Sequence, residues 1–266
     1  MEHHNPLSRF MNNNYLSWRT LTGLGAVLLL ALMGQARPAM AQAGDSAEVS
    51  DQDKAIHYSL YYEDFKNDNF EGALPNLRWI MVHAPDYPRS DDRNYERLRD
   101  AYVGLSKQAE DSTIKRAYLD SALAVFETAP AEMKEKGLTF DELVWTINKG
   151  RFIQNQELLQ DRLGDVPAIY LQAYELAPDR VDAYYLRLII EDYVRKDQKQ
   201  EALDLMDAIE PRFAEDADMT GFITAVRNSL FKTNAERIAF LEPRLEKEPD
   251  NMEIISELFD LYMKES

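Results

Sequence analysis

The chain reads as all-α, an α–α superhelical solenoid of about five antiparallel helical hairpins plus a C-terminal capping helix. Three observations lead there. Ala73, Leu77, Ile80 and Pro85 stand at offsets zero, four, seven and twelve, and Val166, Tyr170, Ala173 and Pro178 repeat those offsets. Arg237, Leu241 and Pro249 repeat them again without the small residue. Apolar residues at that spacing share one helix face, and the proline stops the helix. From Asp51 onward glycine is rare, and no alternating run long enough for a strand is present.

The first hairpin spans about Asp51 to Ala84. Its leading helix carries two apolar stripes, Ile56 with Leu60, and Tyr58 with Tyr62 and Phe65. A helix that is apolar on two sides has two neighbours, as stacked repeats require. Asn67-Asp68-Asn69 reverses the chain, and Phe70, Ala73, Leu74, Leu77, Ile80, Met81 and Ala84 line the second helix. Pro75 predicts a bend in its first turns.

The second hairpin opens at Ser90, read as a cap. Tyr95, Leu98, Ala101, Tyr102 and Leu105 mark its first helix; Ile114 to Val125 mark the second, which Pro130 ends. Extra length is assigned to Lys107–Ser112. Thr139 and Glu142 fit a capping box for the third hairpin, whose first helix reaches toward Leu163 despite Gly150. Gly164-Asp165 turns the chain, and Asp165 caps the helix of Pro167, Tyr170 and Ala173.

Ala183, Leu186, Ile189, Ile190 and Tyr193 line the first helix of the fourth hairpin. Lys196-Asp197-Gln198 is its turn, and Glu201-Ala202-Leu203 opens its second helix. The fifth runs from about Asp218 to Lys247, with Pro243 bending or shortening its second helix. Ile255, Leu258 and Tyr262 form the apolar face of an unpaired last helix that caps the preceding hairpin.

This alternation resembles the tetratricopeptide repeat (TPR) family, whose unit is an antiparallel helix pair of about 34 residues. The resemblance covers Asp51 to Met263. It departs where the family has glycine or alanine in the first helix, because Tyr61 and Ile190 stand there, which implies splayed hairpins. As a divergent member or as another irregular helical solenoid, the chain is read as superhelical.

Residues 1–43 read as a signal peptide, 44–50 as a flexible leader and 51–266 as the repeat domain. Arg9 and Arg19 precede an apolar run from Gly23 to Met33, and small residues at Ala39, Ala41 and Ala43 suit signal peptidase. Met11 is an alternative start. The run is short for a span of about 20 residues, so no stable membrane span is expected after cleavage near Ala41 or Ala43. The product is expected to be exported, periplasmic or secreted.

The chain has 47 acidic and 30 basic residues, a net charge of −17. Removing residues 1–43 takes away three arginines and one glutamate, so the charge moves from −17 to −19. No basic stripe is visible, so nucleic acid is not an expected partner. With no cysteine, thiol chemistry and zinc–thiolate sites are excluded and packing alone supplies stability. His57 and His83, the two histidines after residue 43, fall on different helices of the first hairpin. No phosphate loop, nucleophile elbow, paired-histidine zinc motif or calcium loop is present. The acidic group Glu215, Asp216 and Asp218 reads as surface, and no cofactor, metal or catalytic residue is expected.

The resemblance implies a scaffold that binds a protein or peptide, without enzymatic activity, in a groove built from the first helix of each hairpin. Aligned so, Tyr58, Tyr62, Phe65 and Lys66 face that groove in the first hairpin, and Tyr184, Arg187, Glu191 and Arg195 face it in the fourth. Aromatics and arginines are enriched where interfaces gain energy. Two other roles are open. Tyr58, Tyr62 and Phe65 can pack between repeats, and Arg187 and Arg195 can pair with Glu191 at i and i+4. The alternative function is an envelope accessory subunit or small-ligand binder with a pocket between splayed hairpins, placed at the third.

Overall fold

A computed structural model of the chain describes residues 49–265. The signal segment and most of the leader lie outside the described residues. Among those described, eleven α-helices follow one another and no strand is formed. The only β-type pairing among them is an isolated bridge between Asp91 and Thr139.

The first hairpin is α1 (Asp51–Lys66) and α2 (Phe70–His83). Ser50 caps α1, accepting from the Asp53 backbone N–H at 3.1 Å. In the turn, Asp68 adopts a left-handed φ of 57°, and Asn69 caps α2 through Gly72 N–H at 3.3 Å. The fourth hairpin repeats this device with Asp197, at φ 56°. A short polar side chain tolerates this conformation at modest cost.

The second hairpin is α3 (Arg93–Gln108) and α4 (Ser112–Glu135). Its turn is only residues 109–111, so the extra length is not an insertion there. It lies in α4, which continues through Pro130. The reason is burial: Val125, Phe126, Ala129 and Met133 all lie in the core, offsetting the backbone hydrogen bond that proline lacks. Ser90 and Thr139 do not cap. Asp92 precedes α3, and the Ser90 carbonyl accepts from Thr139 N–H at 3.0 Å.

The third hairpin is α5 (Glu142–Asn155) and α6 (Val166–Leu176). Asp141 caps α5. The first helix stops at Asn155, and Glu157–Asp165 form a 3₁₀ stretch with a break at Leu159, φ −108°. Arg116 of α4 holds this stretch, donating to the Leu158 carbonyl and to Asp161, each at 2.7 Å. Asp165 pairs with Arg162 at 2.7 Å and does not cap α6. Gly150 lies inside α5 and makes room for the Tyr170 ring. A Cβ there would lie 2.4 Å from Tyr170 Cε1.

The fourth hairpin is α7 (Ala183–Arg195) and α8 (Lys199–Ile209). Then come α9 (Ala217–Ser229), α10 (Asn234–Lys247), which does not end at Pro243, and α11 (Met252–Glu265). Asp216 caps α9, accepting from Asp218 and Met219 N–H; no group of His, Cys, Asp or Glu fit to hold a metal occurs among the described residues.

The core is divided. One part runs from Leu119 to Leu230 and takes in α9 through Met219, Ile223 and Val226. A second joins α1 to α5 around Tyr61, Leu77 and Phe126. A small separate cluster holds Leu241 against Ile254, Leu258 and Leu261. The two helices of the fifth hairpin therefore send their apolar faces to different cores, and α11 caps α10. The capping face is Ile254, Leu258 and Leu261, one residue off the expected Ile255 and Tyr262; Tyr262 is exposed. Ile56 and Leu60 of α1 are also exposed, so that expected stripe is not part of the buried core. Tyr61 and Ile190, bulky where the family is small, are both fully buried.

Replacing Gly150 with Ala gains roughly 1 kcal/mol of helix propensity but forces a methyl into the Tyr170 ring, an overpacking cost of about 1–3 kcal/mol. A net loss of stability is expected in denaturant titration; a gain contradicts this packing. Deleting residues 251–266, or placing Asp at Leu258, is expected to lower the melting temperature and promote association by baring Leu241. Unchanged melting in both variants rules out the cap.

Candidate partner-binding surface

α1 presents four aromatics on one side, and Arg97 of α3 reaches across to them. Its Nη1 donates to Tyr61 Oη at 2.8 Å and to Tyr58 Oη at 3.2 Å. The guanidinium carbon lies 4.8 Å from the Tyr62 ring centre, a cation–π contact. Tyr61 donates to Asn94 Oδ1 at 2.6 Å, and Asn94 Nδ2 donates to the carbonyls of Pro85 and Tyr87 at 3.0 and 2.8 Å. Tyr58 stacks with Tyr62 at 5.7 Å and meets Tyr87 edge-on at the same distance. Phe65 meets Phe70 edge-on at 5.5 Å.

Tyr58, Tyr62 and Phe65 are thus half-buried in the packing of the first hairpin on the second. Lys66 is exposed and reaches Glu63 at 3.5 Å. The residues that organise this cluster, Tyr61, Asn94 and Arg97, were not singled out from the sequence as its organisers. The signal available was the set of tyrosines at 58, 61 and 62, spaced for one helical face.

In the fourth hairpin the placement differs. Tyr184 is 57 % exposed, and its hydroxyl accepts from Gln154 Nε2 of α5 at 3.2 Å. Arg187 is half-buried, its guanidinium 5.1 Å from the Phe222 ring of α9 and its Nε 3.5 Å from Met219 Sδ. Arg195 pairs with Asp192, which also takes Lys196 at 2.7 Å; Glu191 is exposed. The first helices of the third, fourth and fifth hairpins are therefore joined by contacts of α7 side chains, with Tyr184 standing outward. The two groups of candidates are not brought together: one lies on α1, the other on α7.

His57 and His83 flank one indole. His57 stacks on Trp79 at 3.8 Å, and His83 lies 4.7 Å from it. His57 Nδ1 is 2.8 Å from Asn76 Oδ1.

Burial pushes the phenols of Tyr61, Tyr95 and Tyr170 well above the ordinary tyrosine range. The Arg97 charge partly opposes this at Tyr61, whereas Glu132 adds to it at Tyr95. Their folded values exceed the unfolded value of about 10. The stability they confer is present below that pH and is lost as pH rises through the folded values. The melting temperature is therefore expected to fall above about pH 10, less steeply in Tyr61→Phe. Equal alkaline slopes contradict a role for Tyr61. Tyr62→Ala is expected to cost about 3–5 kcal/mol at most, and less in proportion to its half-exposure.

No family model matches the chain, and no curated protein matches it significantly. Among solved structures it is similar to a thermophilic TPR protein from Thermus thermophilus, with 23% identity over 66% of this chain and 81% of that one and a TM-score of 0.33. Among the described residues no helix is long and apolar enough to cross a membrane. The fold, on its own succession of helical hairpins, is an all-α solenoid.

Proposed function

We propose that the chain is a non-enzymatic, exported scaffold that holds a protein or peptide against the first helices of its hairpins. The observation that carries this reading is Tyr184. It is a large aromatic, more than half exposed, placed on a first helix between two others and oriented by Gln154. Tyrosine supplies contact area at low entropic cost and a hydroxyl for specificity. Arg187, tethered to Phe222 beside it, adds a planar cation in a chain of net charge −17. Export rests on the sequence of residues 1–43, where Arg9 and Arg19 precede an apolar run and small residues follow it.

The α1 candidates belong to this surface only through their exposed edges, since Tyr58, Tyr62 and Phe65 also bind the first two hairpins together. The two roles separate by measurement. Tyr184→Ala is expected to leave melting nearly unchanged and to weaken a partner recovered from envelope extract by about 1–3 kcal/mol. Tyr62→Ala is expected to lower stability first. Full affinity in a folded Tyr184→Ala variant overturns the assignment. Mass analysis from the native host is expected to find a chain beginning near Gln42 or Gly44; intact residues 12–40 contradict export by a cleaved signal.

A further inference from the structure

The capping unit of a helical solenoid needs a polar outer face to stay soluble. α11 does not have one. Met252, Ile255, Phe259 and Tyr262 recur at the three- and four-residue spacing that shares one helix side, with Met263 beside the last. None of them belongs to the buried cluster of Ile254, Leu258 and Leu261. Met252 is 72% exposed, Phe259 64% and Met263 63%; Tyr262 is also exposed and Ile255 is half-buried. α11 is therefore apolar on two adjoining sides, of which one packs on α10 and the other faces outward.

The border of this outward stripe is acidic. Tyr262 donates to Glu242 of α10, and Glu246 follows one turn along the same helix. On α11 itself Asp260 lies beyond Phe259. All three carboxylates are exposed, and none makes an ion pair among the described residues. Residues 234–265 hold nine acidic and four basic side chains, a net charge of −5. Two of the four cations are already taken, Arg237 by Glu257 and Arg244 by Asp204. Lys264 lies in a recess with Arg237, Ser256, Glu257 and Asp260 that does not include Phe259.

We propose that the outer face of α11 docks a basic amphipathic helix of a partner protein, its apolar stripe on Met252, Phe259 and Met263 and its lysines or arginines on Glu242, Glu246 and Asp260. The solenoid is built by stacking helix on helix, and this face lies where a further helix would stack. A partner stripe at helical spacing matches it side chain for side chain. The two methionines add unbranched, polarizable contacts that adapt to the partner's side chains. The surrounding acids select the sign of the partner's charge. A second copy of the chain fits less well, since two-fold pairing would set Glu242, Glu246 and Asp260 against their own images. An anionic lipid surface is repelled for the same reason. The site is separate from the first-helix surface, and none of its residues belongs to that surface.

The test uses the whole chain and labelled synthetic peptides of about 18 residues, five helical turns. One carries leucines along one side and lysines elsewhere. A second replaces the lysines with glutamates, and a third keeps the lysines but disperses the leucines around the helix. The expected result, read by fluorescence anisotropy, is saturable binding of the first peptide, at least about tenfold tighter than either control, and weakening as salt rises. Phe259→Ala and Met252→Ala, both outward-facing, are expected to keep the melting temperature and to weaken this peptide about tenfold. Glu246→Gln with Asp260→Asn is expected to reduce the salt dependence, and Tyr184→Ala to leave the binding unchanged. Equal binding of the dispersed peptide overturns the apolar stripe as the site and leaves only general attraction to an acidic chain. Equal binding of the glutamate peptide overturns the charge assignment. A loss in Tyr184→Ala as large as in Phe259→Ala moves the peptide to the first-helix surface and overturns this one. Self-association abolished by Phe259→Ala, or tighter binding to anionic phosphatidylglycerol vesicles than to the peptide, overturns the partner helix in favour of a second copy or a membrane. No saturable binding of the lysine peptide overturns the proposal outright.

Discussion

The structure depends on one constraint: a helical hairpin cannot bury its apolar face alone, so each must find it on a neighbour. With no cysteine to cross-link the chain, cohesion rests on the contact between successive hairpins. In the first two hairpins that contact is unusual. A fully buried tyrosine, Tyr61, sits where close helix packing would favour a small residue, and its hydroxyl is satisfied by Asn94 and Arg97. A buried hydroxyl without a partner costs about 1–3 kcal/mol; with these partners it becomes a cross-link. Asn94 extends the link to the carbonyls of residues 85 and 87, so α1, the connecting loop and α3 share one polar network within an aromatic cluster.

The same solution recurs with different chemistry along the chain. Tyr170 is fully buried against Gly150, and its hydroxyl donates to Gln154. Small residues placed opposite large ones, Gly150 to Tyr170 and Gly104 to Phe70, make room for them. At the C-terminal end this pattern lapses. α9 joins the main core while α10 and α11 form their own, and the seam between carries the Lys199–Glu236 and Arg244–Asp204 ion pairs beside the Phe231–Phe240 ring contact. That division places charged side chains between the two cores.

Much of this was legible in the residues. The offsets at Ala73, Leu77 and Ile80 located α2, and those at Val166, Tyr170 and Ala173 located α6, because helical periodicity follows from backbone geometry alone. Turns at Asn67–Asn69 and Lys196–Gln198 were legible because Asp tolerates a positive φ. What failed were decisions settled by tertiary contact. Pro130 stops an isolated helix, but buried Ala129 and Met133 carry α4 past it. Capping went to Asp141 rather than Thr139, since the Thr139 backbone is engaged with Ser90. The face of α11 was misread by one position, because Ile254 and Ile255 are adjacent and only contact with Leu241 chooses between them. Among the candidate surface residues, periodicity placed Tyr58 and Tyr62 on one side of α1. It could not tell a solvent-facing side from one covered by α3, since Arg97 lies 35 residues beyond Tyr62 in the chain.

The most direct test of this account is a double-mutant cycle on Tyr61→Phe and Arg97→Leu, read by denaturant unfolding. If the buried hydroxyl and the guanidinium form a single cross-link between hairpins, the two changes are non-additive, with a coupling energy of about 0.5–3 kcal/mol. Additive effects would show that the two groups act independently and that the Tyr61–Arg97 contact is not a cross-link between the hairpins.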